Sequence, residues 1–222
     1  MKAYLAAATA LLALVPNLAA AQDRAGHLQV KAFLTGVLPD GKIKKVKTDI
    51  VGLPADTQTK ANDNVVPTVA IEYFFSDNIS LETICCLTQH DVDGTTGLPG
   101  AELVSNAKLI PATFTLKAHA DLGGVKPYVG AGPAVFLFIS DKPGAATIPL
   151  GVTNFKLSDE IGLALQAGVD VPLNKNGLGF SIDAKRYFVN STARWYAGDT
   201  LAIETVHKLD PWVLSAGLSY TF

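Results

Sequence analysis

The chain lacks most of what staples or charges a small domain. Its 222 residues hold two cysteines, and these are adjacent, Cys85 and Cys86. Neighbouring side chains on a strand point to opposite faces, so an ordinary disulfide between them is geometrically poor. No third cysteine exists to pair with either, which excludes an intramolecular staple, and this pair alone does not make a zinc site. Basic and acidic residues nearly balance, 18 against 20, so nothing marks a nucleic-acid surface. Past the first residues, no apolar run approaches the roughly 18 residues a membrane-crossing helix needs. Any membrane insertion therefore uses strands.

What is present begins with the ends. Lys2 precedes an apolar run, Ala3 to Val15, followed by Pro16 and Ala19-Ala20-Ala21. A positive start, a short apolar stretch and a small-residue cleavage site predict a secretory signal peptide over 1–21, with Gln22 as the mature start. No cysteine lies near that cut, which argues against a lipid-anchored N-terminus. The mature domain is then 22–222, with one lysine fewer and a net charge of −3. The last eleven residues, Trp212 to Phe222, are apolar or aromatic at every even position. After Val213 the odd positions are Ser215, Gly217, Ser219 and Thr221. A strand places these sets on opposite faces. Tilted by about 40°, ten residue steps rise roughly 25 Å, the height of an outer-membrane apolar band.

Similar alternation predicts seven further strands: about 28–37, 65–75, 79–87, 109–121, 126–139, 157–171 and 178–189. The strand over 126–139 is apolar on both faces, so its phase is open. Connections alternate between short (76–78, 122–125, 172–177) and long (38–64, 88–108, 140–156, 190–210). That asymmetry fits an eight-stranded antiparallel up-and-down transmembrane barrel with four long external loops. An even strand count places both termini in the periplasm. By the same phases Lys31, Glu72, Glu82, Lys117, His119, Asp121, Glu160, Asp170, Asp183 and Lys185 face inward. Their opposite signs allow ion pairs across the lumen. A barrel of eight strands is just wide enough for side chains to fill, which argues against a wide aqueous pore.

Several stretches resemble the OmpW family of small outer-membrane barrels: Phe33-Leu34-Thr35-Gly36-Val37-Leu38-Pro39-Asp40, Tyr73-Phe74-Phe75-Ser76-Asp77-Asn78-Ile79 and Leu109-Ile110-Pro111-Ala112-Thr113. Pro127 to Gly132, Gln166 to Asp170, Leu209-Asp210-Pro211-Trp212-Val213 and the closing Tyr220-Thr221-Phe222 complete the set. Together they run in order over about 28–222. The terminal triplet departs from the family's commoner Tyr-Arg-Phe, the vicinal cysteines are not a family feature, and the long loops do not match closely. The resemblance implies a narrow apolar tunnel, passive uptake of small hydrophobic molecules, and release sideways through the wall into the membrane. It also carries a lateral-gate role to Pro111, which cannot donate a ladder hydrogen bond.

Inward phase makes Phe33, Phe74, Ile84 and Val213 the tunnel-lining candidates. The basic run Lys42-Ile43-Lys44-Lys45-Val46-Lys47 could meet lipopolysaccharide phosphates. Expected partners are outer-membrane lipid, lipopolysaccharide and small hydrophobic solutes. No cofactor is expected, and His90 has no second ligand at metal spacing. A lipid-modifying enzyme needs a nucleophile beside a base; no serine shares the strand face of His119, so an enzyme is not expected. The alternative is a structural or adhesive surface barrel without transport.

Overall fold

A computed structural model describes residues 24–222; the expected signal peptide lies outside the described residues. Eight strands close a barrel: β1 (Leu28–Leu38), β4 (Asn64–Phe74), β5 (Ile79–Cys85), β7 (Glu102–His119), β8 (Lys126–Pro143), β10 (Glu160–Pro172), β11 (Leu178–Phe188) and β14 (Trp212–Thr221). Neighbours follow the order β7-β5-β4-β1-β14-β11-β10-β8, and β8 returns to β7. Every pair is antiparallel. The seam between the first and last staves is continuous from Gln29↔Thr221 to Leu38↔Trp212. Closure leaves no backbone edge for lipid to meet.

The long connections differ from the expectation of open loops. They hold β2 (Lys42–Asp49), β3 (Thr59–Ala61), β6 (Thr88–Gly94), β9 (Asn154–Leu157), β12 (Asn190–Ala197) and β13 (Thr200–Lys208). Four of these form a second sheet in the order β2-β13-β12-β9, while β3 and β6 extend the barrel wall alongside β7. The basic run is therefore strand β2, held in register by β13. The expected strand over 157–171 is two strands. Leu157 pairs with Ala193 of the second sheet, and the Asp159 carboxylate takes the Phe138 amide at 2.8 Å, which separates β9 from β10. Together these elements cap the barrel end opposite the chain termini.

Leu34, Val65, Leu163, Ile182 and Leu218 stand exposed on the outer wall. The open phase of β8 is settled by Tyr128, Ala134 and Phe136, which are buried, and Val129 and Ile139, which are exposed. Gly132 in this strand is required by close approach: a Cβ there would fall 1.9 Å from the Phe114 carbonyl oxygen. Aromatic pairs mark the end with the termini, Tyr73 with Phe75 at 5.2 Å and Tyr220 with Phe222 at 4.8 Å. At the other end, Trp212 and Phe188 flank the Arg186 guanidinium. Such girdles sit where an apolar band gives way to water.

Ile182 lies midway along β11 on the exposed face. Ile182→Arg is expected to lower barrel stability in lipid by about 2–4 kcal/mol. Equilibrium urea unfolding in vesicles checks this, and a change below about half a kcal/mol would contradict a buried-in-lipid wall.

Candidate functional site

The barrel interior divides into two halves of opposite chemistry. Near the termini, Lys31, Glu72, Glu82, Lys117, Asp170, Asp183 and Lys185 are almost wholly buried. Strand alternation aims all of them at one axis. Lys31 Nζ lies 2.8 Å from Glu72 and 3.1 Å from Asp170. Lys117 Nζ lies 2.8 Å from both Glu72 and Glu82. Lys185 Nζ bridges Glu82 at 3.0 Å and Asp183 at 2.7 Å. His119 Nε2 is 2.9 Å from Glu72, and the Arg24 guanidinium is 3.6 Å from Asp170. Four carboxylates thus meet three lysines and one arginine, so the cluster is neutral.

Neutral polar side chains add hydrogen bonds to several of these carboxylates. Gln166 donates to Glu82 at 2.8 Å, Tyr128 to Asp183 at 2.7 Å and Ser181 to Asp170 at 2.6 Å. Lys117 also stands 3.6 Å over the Tyr128 ring. Charges this deep are tolerable only when paired with opposite charge, as every lysine and carboxylate of the cluster is. The cluster therefore plugs the end that carries the termini. Asp121 and Glu160 stand outside it. Asp121 is exposed in the turn after β7 and accepts the Gly124 amide at 3.1 Å, because the ladder ends at His119. Glu160 is half-buried at the start of β10 and accepts from Ser158 at 2.6 Å.

The capped half is apolar. A tunnel runs there past Val37, Ile84, Leu109, Phe136, Leu209 and Val213, with Pro111 and Cys86 in its wall. Tyr187 closes its floor, edge-on to Phe136 at 5.4 Å and 3.1 Å from the Thr113 hydroxyl. Of the four expected lining residues, Ile84 and Val213 are in the tunnel. Phe33 and Phe74 point inward at other depths. Phe33 packs on Ala70 and Ile84 below the tunnel. Phe74 lies beside His119 and 4.8 Å under Arg24, at the plug. Phase gives the face of a side chain and not its height along the axis.

Sequence reasoning missed Tyr187 as the floor and His207 as a lining residue. The alternation Thr205, His207, Leu209 held the signal for the second. His90 and His207 both border the tunnel at the cap. Taken neutral with Nδ1 protonated, His90 donates to the Asn62 carbonyl at 2.7 Å and accepts from Thr88 at 2.9 Å. His207 donates to Gly41 at 3.2 Å and accepts from Thr205 at 2.6 Å. Burial pushes both pKa values below the ordinary range, against smaller raising effects of those carbonyls.

The wall beside the tunnel has a break. Strand β5 pairs with β7 as far as Ile84↔Thr113, and β6 resumes with Thr88↔Leu109. Between them Cys86 and Leu87 belong to no strand. Continuing the registers sets Cys86 against Pro111 on one side and Leu87 against Pro67 on the other. Neither proline has an N–H to give. Pro67 carried no weight in the sequence reading, since it sits inside a strand pattern that its β1 neighbour satisfies, Leu34↔Pro67. A groove on the outer wall opens at this break, along Pro67, Thr68, Cys85, Cys86, Leu87 and Ile110.

An eight-stranded barrel with a greasy wall, an ion-paired plug and a capped apolar tunnel is a small outer-membrane barrel. The OmpW family model matches residues 24–222, and the chain belongs to that family. It is 34% identical to the outer-membrane protein y4mB of Sinorhizobium fredii over 187 residues, covering 82% of this chain and 76% of that one. It is 26% identical to outer membrane protein W of Vibrio cholerae, covering 96% of each. The crystal structure of OprG from Pseudomonas aeruginosa has the same fold, with a TM-score of 0.81 at 23% identity, over 92% of this chain and 99% of OprG.

Glu82 touches three lysines. Glu82→Ala strands buried positive charge and is expected to cost about 3–5 kcal/mol, read by urea unfolding of the folded barrel; a neutral result would mean water screens the cluster. A second expectation concerns the histidines. Their folded pKa lies below the unfolded value of about 6.5. The unfolded state therefore binds more protons in that window, and stability held at neutral pH is lost as pH falls. Protection factors of the cap amides, corrected for the intrinsic slowing of exchange in acid, should fall from pH 7 to pH 5, beginning as pH drops through the ordinary histidine midpoint of about 6.5. The double variant His90→Gln, His207→Gln should flatten that profile, and an unchanged profile would place its cause elsewhere.

Proposed function

We propose that this chain is a passive conduit for small hydrophobic molecules, with its capped end outside the cell and both termini in the periplasm. Residues 1–21 direct its export in this reading. A solute enters the apolar tunnel through the cap and leaves sideways at the break between β5 and β7. The observation that carries the reading is the position of Cys86, which lines both the tunnel and the outer groove. One side chain separates the two spaces.

The plug supports a sideways exit. A hydrocarbon crossing it would have to part ion pairs that have no water to replace them. Passage into lipid is downhill instead, by about 25 cal/mol per Å² of apolar surface. The exposed lysines of β2, Lys44 and Lys45, stand on the same end and suit the phosphates of lipopolysaccharide. A purely structural or adhesive barrel has no use for an apolar passage that reaches the wall.

The test restores the missing donors. Pro67→Ala with Pro111→Ala lets the ladder close, and uptake of a radiolabelled alkane into whole cells should fall several-fold while the barrel folds normally. Unchanged uptake in this variant removes the lateral gate. Equal uptake by cells with and without the protein removes the conduit altogether, leaving the structural barrel.

A further inference from the structure

A second cavity lies beyond the tunnel, inside the cap. It measures 160 Å³ against 70 Å³ for the tunnel. Trp195, Ile203, Leu103, Val152 and Ala202 line it. Among the described residues, no ionisable side chain borders it. Its few polar groups are already engaged. Thr57 donates to Pro54 at 2.7 Å, Thr59 to Gly41 at 2.6 Å and Thr147 to Gly144 at 2.7 Å. Thr205 bonds to His207 at 2.6 Å and the Trp195 indole to Leu103 at 3.1 Å. No donor is left for a guest.

The chamber and the tunnel share one inner surface. On β3, Thr59 faces the chamber and Ala61 the tunnel. On β12 the corresponding pair is Trp195 and Ala193, and on β13 it is Thr205 and His207. Each pair is two residues apart and so lies on a single strand face. The two spaces are therefore in series along three strands. The chamber's far side is rimmed by Ile50, Val51 and Leu150, exposed by 64%, 48% and 68%. These sit at the tips of the cap, where a polar surface would be the rule.

We propose that this chamber is a binding site for small uncharged hydrocarbons, aromatic rings and short alkanes included, distinct from the tunnel below it. An apolar cavity of about 150 Å³ in another protein stays dry and takes up benzene. This one is as large, as apolar and has a greasy lip. Without a free donor or a charge, it has no means of repaying the desolvation of a carboxylate or an ammonium, and the lone pairs of its threonine oxygens repay only part of the desolvation of an alcohol. The site therefore selects by lack of polarity as well as by size. Its place in series with the tunnel deepens the conduit reading, but its occupancy does not depend on transport.

The test uses the full-length mature chain in lipid nanodiscs, with Trp212→Phe so that Trp195 is the one tryptophan. Bromohexane, a heavy-atom quencher, should quench Trp195 along a saturating curve. Bromohexanoate should not compete, and benzene should. Filling the chamber by Ala202→Leu, or by Val152→Phe as a second route, should weaken that binding by about tenfold or more. A linear, unsaturating curve in the unfilled protein overturns the site, as does saturation that both fillings leave intact. Blocking the tunnel by Ala107→Phe separates the two readings. Quenching should then persist while uptake falls; loss of quenching there would make the chamber part of the tunnel and overturn a distinct site.

Discussion

Backbone closure in an apolar solvent is the constraint on which the rest depends. A strand facing lipid must give every N–H and C=O to a neighbour, since the solvent accepts neither. The ring from β1 to β14 and back meets that demand along most of its wall, and the seam between its first and last strands runs without interruption over ten residue pairs. Against this background the break at Cys86 and Leu87 stands out. Two prolines flank it, and each removes one donor that a repaired ladder would need. The wall is opened by two missing protons and not by a loop or a missing strand. An interrupted ladder leaves carbonyls near lipid, so it persists only where something else holds the strands. Here β8 holds β7 on its far side, through Ile110↔Leu137 and Pro111↔Phe136, and β1 holds β4 through Leu34↔Pro67.

The buried charges follow from the same closure. Eight staves enclose a space that side chains must fill, and an outward apolar face leaves only the inner face for polar residues. The ion-paired plug uses that space to lock six staves together, with lysines from β1, β7 and β11 and carboxylates from β4, β5, β10 and β11. Each lysine reaches at least two acids, so removing one partner disturbs several strands at once. Rigidity at that end leaves the capped end free to carry an apolar cavity, which contributes little cohesion of its own.

Much of this was legible in the sequence. Alternation in Trp212 to Phe222, in β1 and in β7 fixed the inward and outward faces, because a period of two survives any error in strand ends. Eight of the ten inward polar residues, Lys31 through Lys185, meet in one cluster. Asp121 escaped it because the pattern continued past the last ladder residue into a turn. Glu160 escaped it because the strand begins there. The cap was not legible. Lys42 to Asp49 reads as a solvated basic run, and its strand character comes from pairing with Thr200 to Lys208, over 150 residues away in sequence. The hairpin between β12 and β13 did leave a local mark in Gly198-Asp199, a turn dipeptide with Gly198 at φ 60°. Axial height left no mark, which is why Phe33 and Phe74 were grouped with Ile84 and Val213.

The cap bears on what selectivity would mean under the proposed conduit reading. If the long connections were flexible loops, the tunnel mouth would be wet, and any solute small enough would meet it. A folded four-stranded sheet instead places Trp195, Thr205 and His207 at fixed positions at the tunnel's capped end. Their donors are turned toward backbone carbonyls and toward each other, so the lining presents almost no polarity to an entering molecule. A polar solute entering by the proposed route would lose its water shell at the cap, before reaching the tunnel, and gain little in return. An apolar one loses only unfavourable hydration. In the proposed conduit, discrimination would thus be made at the first surface met, and the wall break farther down would have only to let go of what the cap had admitted.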